Sequence, residues 1–395
     1  MFQAYWRYAA VAILIIAGLL RDPALATLAT LLLLAAGLAW LWNRYCLARV
    51  SFQRVFSERR VFPGERVSLT IQVANRKPLP LAWLEVVDEF PSRLPLTRGA
   101  AAPSAKPLVA HLTHVLSMRW YERVSWRYEF IAAARGYYSF GPLSLRSGDA
   151  FGFFETRADA DVVDHLIVYP RVEPLESLGL MMKQPFGETR SRARIFEDVS
   201  RTVGVRDWQN GDERRRVHWK ATARHQSLQV RVYEPSASLN VAIFLNVATF
   251  PEIWQGTDPA LLEKAITVAA SLASFAAAQR HAAGLYANTS LPNSDQPIRI
   301  APGRSPDQLM IILEALAKVT PFPTAPLEVL LAAEAGRLPW GASLVIVSAV
   351  VNEGLLATLL RLRDVGHRLI LVALSDDVPA EVLAGIHVHR LGAAA

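Results

Sequence analysis

The densest run of residues able to do chemistry is Gly204-Val205-Arg206-Asp207-Trp208-Gln209-Asn210-Gly211-Asp212-Glu213-Arg214-Arg215-Arg216-Val217-His218-Trp219-Lys220-Ala221-Thr222-Ala223-Arg224. Several chemistries compete for it. Asp212 stands six residues before His218, so an orienting carboxylate and a general base could pair, with arginines gripping an anionic substrate. No nucleophile accompanies them. Eleven Lys/Arg between residues 190 and 231, with Trp208 and Trp219, would suit a nucleic acid. Five acids interleave with those bases, and a membrane tether described below also weighs against that reading. His218 and His225 lack the further ligands a metal needs. What remains is a structural or interaction motif at a domain joint, with arginines bonded to carboxylates and backbone carbonyls and with no catalytic residue. On this reading Asn210-Gly211 turns the chain and Asp212 caps a helix running from Glu213 to Arg224. Arg214, Val217, His218 and Ala221 then share one face, Asp212 accepts bonds from nearby arginines or amides, and Trp219 packs into an interface.

The elements that must hold this run differ on its two sides. From about residue 48 to 170 the apolar period is two. Val67, Leu69, Ile71 and Val73 alternate with polar neighbours, and so do Val124, Trp126, Tyr128 and Phe130. Further strands are predicted near 49–57, 83–89, 109–116, 137–145 and 165–169, broken at Pro63-Gly64 and Gly141-Pro142, with a loose loop over 97–107. Seven short strands in this length predict an immunoglobulin-like β-sandwich. After residue 238 strands (239–247, 284–289, 342–349, 368–374, 386–390) alternate with helices (258–281, 306–319, 326–335, 353–365, 378–384). That alternation predicts a parallel sheet covered on both faces. No Gly-rich loop follows Leu245, which argues against a nucleotide.

Length and composition set the outer limits. The chain has 395 residues, 52% hydrophobic and 19% charged, which excludes a largely disordered polymer. One cysteine, Cys46, excludes an intramolecular disulfide framework and a cysteine-based zinc site. The formal charge is +7; residues 190–231 carry eleven bases against five acids, a net of +6 and nearly the whole excess. Two apolar runs open the chain, Phe2–Leu20 and Ala24–Trp42, joined by Arg21-Asp22-Pro23. The second has no charge and reaches roughly 28 Å as a helix, near the bilayer hydrocarbon thickness. A cleaved signal peptide is disfavoured because the second run acts as a stop-transfer segment. Arg44, Arg49, Arg54, Arg59 and Arg60 follow the second run, and Arg7 lies in the first. Two spans are therefore predicted in the inner (plasma) membrane, with both termini and the bulk of the chain cytoplasmic.

The central run also resembles the domain of unknown function 58 family, whose hallmark is Gly-x-Arg-x-aromatic-x-x-Gly-Asp-x-x-Arg-x-Ile-His-Trp-Lys-x-Ser-Ala-Arg. Gly204, Arg206, Trp208, Gly211, Asp212, Arg215, His218, Trp219, Lys220, Ala223 and Arg224 match it, with Val217 and Thr222 as mild departures. Arg135–Pro142, Asp149–Phe154 and the membrane hairpin are similar to that family too. The resemblance implies a C-terminal domain similar to the von Willebrand factor type A fold. It also implies association with a MoxR-type AAA+ ATPase and with other membrane or type A-domain proteins, in chaperone-like or cell-envelope assembly. A type A metal site needs Asp-x-Ser-x-Ser; Asn246, Ala248 and Phe250 stand there instead, so no metal and no cofactor are expected. The expected organisation is a transmembrane hairpin (1–43), a β-sandwich (48–170), the motif and junction (190–235) and an α/β domain (236–395). The expected role is a membrane-anchored scaffold; the alternative is a hydrolase or transferase using Asp212 and His218.

Overall fold

In a computed structural model, the described residues are 23–150, 152–180, 197–209, 212, 214–235, 239–292, 294–339, 341–375 and 385–391, with 8, 11–13, 15, 16 and 19 near the start. The first predicted span therefore lies largely outside the described residues, as do Gly211 and the predicted helix at 378–384. The chain forms two compact units, Met1–Arg171 and Val172–Ala395.

In the first unit, helix α1 (Pro23–Cys46) is begun by a proline that fits the first turn and closed by Arg44 at the negative end of its dipole. Leu28, Leu31, Leu34, Leu38 and Trp40 stand outward and exposed, and the helix is long and apolar enough to cross a membrane. Twelve strands follow: β1 (Val50–Phe56), β2 (Arg60–Val61), β3 (Arg66–Asn75), β4 (Leu81–Pro91), β5 (Leu96–Arg98), β6 (Ala102–Pro103), β7 (Val109–Met118), β8 (Arg123–Ile131), β9 (Gly136–Phe140), β10 (Leu143–Gly148), β11 (Glu155–Ala160) and β12 (Asp164–Val168). They form sheets ordered β1-β3-β8-β5, β11-β10-β4-β7-β6 and β2-β12-β9. The predicted alternation sets the register of β3 against β8. Val67 faces Phe130, Leu69 faces Tyr128 and Ile71 faces Trp126. All three sheets supply one core, in which Phe90 meets Phe130 and Phe140 edge-on at 5.6 and 5.5 Å.

The predicted break at Gly141-Pro142 divides 137–145 into two strands, at a cis bond. Gly141 has φ +99°, and a Cβ there would meet Val162 O and the Arg54 guanidinium, so only glycine fits. One detail departs from the sequence reading: Arg54 itself is no surface cation. It donates from Nη2 and Nε to Asp88 at 2.6 and 2.9 Å, and from Nη1 to Asp164 at 3.1 Å and Val162 O at 2.8 Å. The Arg54 and Asp88 side chains are 0% and 1% exposed.

Also in this unit, His114 stacks on Trp126 with centroids 3.9 Å apart and hydrogen-bonds the Tyr128 hydroxyl. Burial pushes the Tyr128 phenol up to about 12 and holds His114 below the ordinary imidazole value of 6.5. Between the depressed folded value and the unfolded one, the unfolded chain binds more protons. The stability His114 confers is therefore present above about pH 6.5 and lost as pH falls through its folded value. Hydrogen exchange at β7 and β8 should accelerate from pH 7.5 to 5.5 beyond its intrinsic pH dependence, and His114→Gln should flatten that loss. An unchanged slope in His114→Gln would remove His114 from the acid response.

The second unit starts with a separate two-stranded pair, β13 (Glu197–Asp207) and β14 (Gln229–Pro235), enclosing the short helix α2 (Trp219–His225). It continues through β15 (Asn240–Leu245), α3 (Pro259–Ala278), β16 (Ala282–Ser290), β17 (Pro297–Gly303), α4 (Gln308–Ala317), α5 (Leu327–Ala335), β18 (Ser343–Ser348), α6 (Glu353–Asp364), β19 (Arg368–Ala373) and β20 (His387–Arg390). The sheet order is β17-β16-β15-β18-β19-β20. Every pairing is parallel except the β16–β17 edge, which the sequence reading did not include. Both alternating sets on β15 are buried, Ala242 and Phe244 as well as Val241, Ile243 and Leu245, so the sheet is covered on both faces. Leu327, Leu331, Leu355 and Leu359 from α5 and α6 pack against Phe244 and Ile346. Helix α3 also has the length and composition of a span, yet ten of its residues are buried where it lies on β15, β16 and β18. The chain thus has one or two apolar helices able to span a bilayer within a multidomain, sheet-rich body.

Candidate functional site

The motif folds as an insertion between β13 and β14. Arg206 faces Val230 and Asp207 faces Gln229 across the pair. Beyond Asp207, the Asp212 amide donates to Gln209 O at 3.1 Å, and the Asp212 carboxylate reaches back to β13. Its two oxygens accept from Arg206 Nη2 and Nη1 at 2.7 Å each, and Oδ2 also accepts the Gln209 amide at 2.9 Å. The Arg206 bonds, with the Gln209 amide, hold the Asp212 carboxyl below the usual carboxylate range. Asp212 therefore accepts from an arginine and an amide as the sequence predicts; Glu213, where the predicted helix starts, lies outside the described residues.

The single helix predicted from Glu213 to Arg224 is broken. Arg214–Arg216 form one 3₁₀ turn. Val217 then bridges Val230 in extended fashion, and both valines are buried. Helix α2 begins only at Trp219, because His218 caps it: His218 Nδ1 accepts the Ala221 amide at 3.1 Å while the His218 amide donates to Gln229 O at 2.8 Å. Gln226, at φ +55°, ends the helix by donating to Thr222 O. The Thr222 hydroxyl accepts the Gln229 amide at 3.0 Å, and Gln229 Nε2 donates to the Asp207 carboxylate. Sequence reasoning did not assign Asp207 or Gln229 a role. The one signal for Gln229 is an amide between apolar neighbours in an alternating strand.

These bonds divide the motif into a bonded frame and an outer surface. Arg206, Asp212, Val217, His218 and Thr222 make the frame. Trp219 is 71% exposed; α2 turns that ring outward. Lys220, Arg224, Arg214 and Arg215 are also exposed, and Trp208 is half-buried. Gly204 is exposed with open space around it, and nothing in the structure explains a glycine there. Asp212 and His218 are engaged in separate local bonds rather than with each other. Among the described residues no three His, Cys, Asp or Glu side chains gather as a metal site.

At the carboxyl ends of β15, β16 and β18, where the strand order reverses, Asn246 Nδ2 donates to Ser348 Oγ at 2.9 Å. Asn246 Oδ1 accepts from Asn288 Nδ2 at 2.9 Å and from the Ala248 amide at 3.1 Å. Asn288 Oδ1 accepts the Val247 amide at 2.9 Å, and Nδ2 also donates to Ala325 O at 3.1 Å. Asn246 thus stands in a closed amide–hydroxyl network, with Ala248 supplying only its backbone and Phe250 standing 39% exposed.

Comparison with known proteins agrees with the region that carries the motif. Residues 204–386 match the family described as protein of unknown function DUF58. The uncharacterized protein YeaD of Bacillus subtilis (strain 168) is 28% identical over 204 residues, covering 51% of this chain and 49% of that protein. The chain thus spans about half the length of this curated relative. Among solved structures, a β-glucosidase from Listeria innocua is 12% identical over 30% of this chain and 16% of its own, with a TM-score of 0.19. A cohesin module from a Clostridium perfringens ATCC13124 family 33 glycoside hydrolase is 9% identical over 30% and 96%, with a TM-score of 0.21. Likeness at that level carries no argument.

Proposed function

We propose that the protein is a membrane-anchored scaffold or adaptor whose outward motif surface captures a MoxR-type AAA+ ATPase during chaperone-like or cell-envelope assembly. The observation that carries this reading is the division of the motif. Its bonded frame ties Asp212 to β13, and α2 presents Trp219 to solvent. An exposed tryptophan with exposed cations close to it in sequence has the composition of an interface hot spot. The partner's matching surface would be acidic with an apolar recess. The separate engagement of Asp212 and His218 supports a scaffold over the hydrolase or transferase alternative. On this reading the first unit is an immunoglobulin-like sandwich and the sheet of the second a type A-like domain without its metal. Two N-terminal spans then hold both in the cytoplasm.

The test is an affinity pull-down of the detergent-solubilised full chain from its native membrane extract, with and without ATP. The parent should retain an AAA+ ATPase. Trp219→Ala and Lys220→Glu should reduce its recovery at least tenfold while stability changes by no more than about 0.5 kcal/mol, as at other exposed positions. Equal recovery by both variants would overturn the surface assignment, and absence of the ATPase from the parent eluate would overturn the partnership.

A further inference from the structure

The end of the first unit that receives α1 carries exposed aromatic residues on two separate loops. Only residues 47–49 separate α1 from β1, and that joint is bonded throughout. The Ala48 and Val50 amides donate to Tyr45 O and Leu47 O at 3.2 and 3.3 Å, and the Arg76 amide donates to Arg49 O at 3.0 Å. The buried Lys77 ammonium donates to Cys46 O at 2.6 Å, at the negative end of the helix dipole. Thr156 Oγ1 donates to Asn43 Oδ1 at 3.0 Å. Cys46 is wholly buried and Trp42 partly so, in the same core as Val73, Leu84 and Leu145. The last turn of α1 is therefore embedded in the sheet unit, and no flexible tether holds that unit away from whatever surrounds the rest of the helix.

Strand register shows which loops share this end. Val50 pairs with Asn75, Ala74 with Arg123, Leu81 with Met118, and Ser147 with Leu84. The β7–β8 loop and the β10–β11 loop thus both lie beside the α1 joint. At the first, Trp120 and Tyr121 are 67% and 69% exposed. Its shape is fixed by bonds from the Tyr121 amide to Lys77 O at 3.3 Å and from Asn75 Nδ2 to Arg119 O at 2.9 Å. At the second, Asp149 takes the Phe154 amide at 2.6 Å and turns Phe154 inward, leaving Phe153 46% exposed. Arg44, Arg49, Arg76, Arg119 and Arg123 stand exposed around them. The neighbouring acids are engaged: Glu122 accepts the Arg119 amide at 2.5 Å, and Glu155 accepts Arg146 at 2.6 Å.

We propose that Trp120, Tyr121 and Phe153 form a docking face that lies in the headgroup layer of the anionic bilayer holding α1, with the surrounding arginines on lipid phosphates. This rests on α1 being a membrane anchor and adds a second, peripheral contact to it. The occupant follows from continuity and chemistry. Trp40 and Tyr45 of α1 are themselves exposed, so the belt of aromatics at that level extends from the helix onto the two loops. Aromatic side chains with a polar edge favour the membrane–water interface, and basic residues near it are drawn to anionic lipid.

The test uses the full chain reconstituted in vesicles of phosphatidylethanolamine and phosphatidylglycerol. Cys46 is buried and should stay unlabelled in the parent. Single Trp120→Cys, Tyr121→Cys and Phe153→Cys variants carry an environment-sensitive fluorophore, quenched by lipids spin-labelled at shallow depth. Trp40→Cys is the control for the anchor. Val55→Cys, exposed and roughly 17 Å along β1 from Val50, is the control for the unit's distal side. The three loop probes should be quenched at least threefold more than Val55→Cys, and that excess should fall at least twofold in phosphatidylcholine alone. If Trp40→Cys is quenched while the loop probes match Val55→Cys, the docking face is overturned and the anchor stands; a face that instead meets a protein would give this result. Excess quenching that persists in phosphatidylcholine overturns the anionic preference. An unquenched Trp40→Cys overturns the anchor and the docking face together.

Discussion

Replacing Arg54 by Met should destabilise the first unit by about 3–5 kcal/mol, because it strands the Asp88 carboxylate in the core without its partner. Asp88 is 1% exposed and both of its oxygens are bonded to Arg54. Asp164 would keep its 2.8 Å contact with Arg59, so the loss falls mainly on Asp88, with Val162 O also losing its donor. A cost of that size is a large share of a domain's usual stability. The two units need not unfold together, so the measurement is amide hydrogen exchange read separately over β1, β3 and β8 and over β15, β16 and β18. Exchange should accelerate in the first set alone. The double change Arg54→Met with Asp88→Val should recover most of that loss, since a buried pair contributes little beyond an apolar replacement of similar volume. An Arg54→Met chain as stable as the parent would show that the pair holds nothing together.

The second large effect is expected at the sheet edge of the other unit. Asn288 is 1% exposed, and its side chain serves the Val247 amide, Asn246 Oδ1 and Ala325 O. Asn288→Leu keeps the branched shape but leaves the Val247 amide and Ala325 O unpaired, while Asn246 Oδ1 keeps only the Ala248 amide. Unsatisfied buried polar groups cost about 1–3 kcal/mol each, less where the loop can relax toward water. A loss of about 2–4 kcal/mol is therefore expected, seen as faster exchange at Val247 and along β15, with β1, β3 and β8 unchanged. Stability equal to the parent would mean that water replaces the amide and that the network does not position the loop after β15.

How much of this was legible beforehand differs by element. The alternation in β3 and β8 and the apolar strands β15, β18 and β19 were readable within a residue or two, because burial of one or both faces imposes its period directly on the sequence. Short or polar edge strands were not. Glu155–Ala160 reads Glu-Thr-Arg-Ala-Asp-Ala, and it is a strand only because β10 offers it a free ladder. Pro297–Gly303 likewise pairs with β16 at the sheet edge. In the motif, residue types announced a bonded carboxylate, and Asp212 with Arg206 fulfilled it. The continuous helix failed because local spacing cannot register a competing long-range bond. Val230 and Gln229 draw Val217 and His218 into extended backbone, and the helix restarts one residue later with Trp219 facing out.

The sequence alone determined that this chain carries an apolar N-terminal segment, a period-two region, a cationic motif and an alternating α/β region, because hydrophobic period and charge are local properties. Only the tertiary structure decided what individual polar residues do. It turned Arg54, one of five arginines after the apolar run, into half of a buried ion pair. It closed Asn246 with Asn288 and Ser348, which lie 42 and 102 residues away along the chain. It also placed Trp120, Tyr121 and Phe153 at the end where α1 enters. Each outcome depends on which strands become neighbours. That choice is made by packing the whole core at once, and no window of sequence contains it.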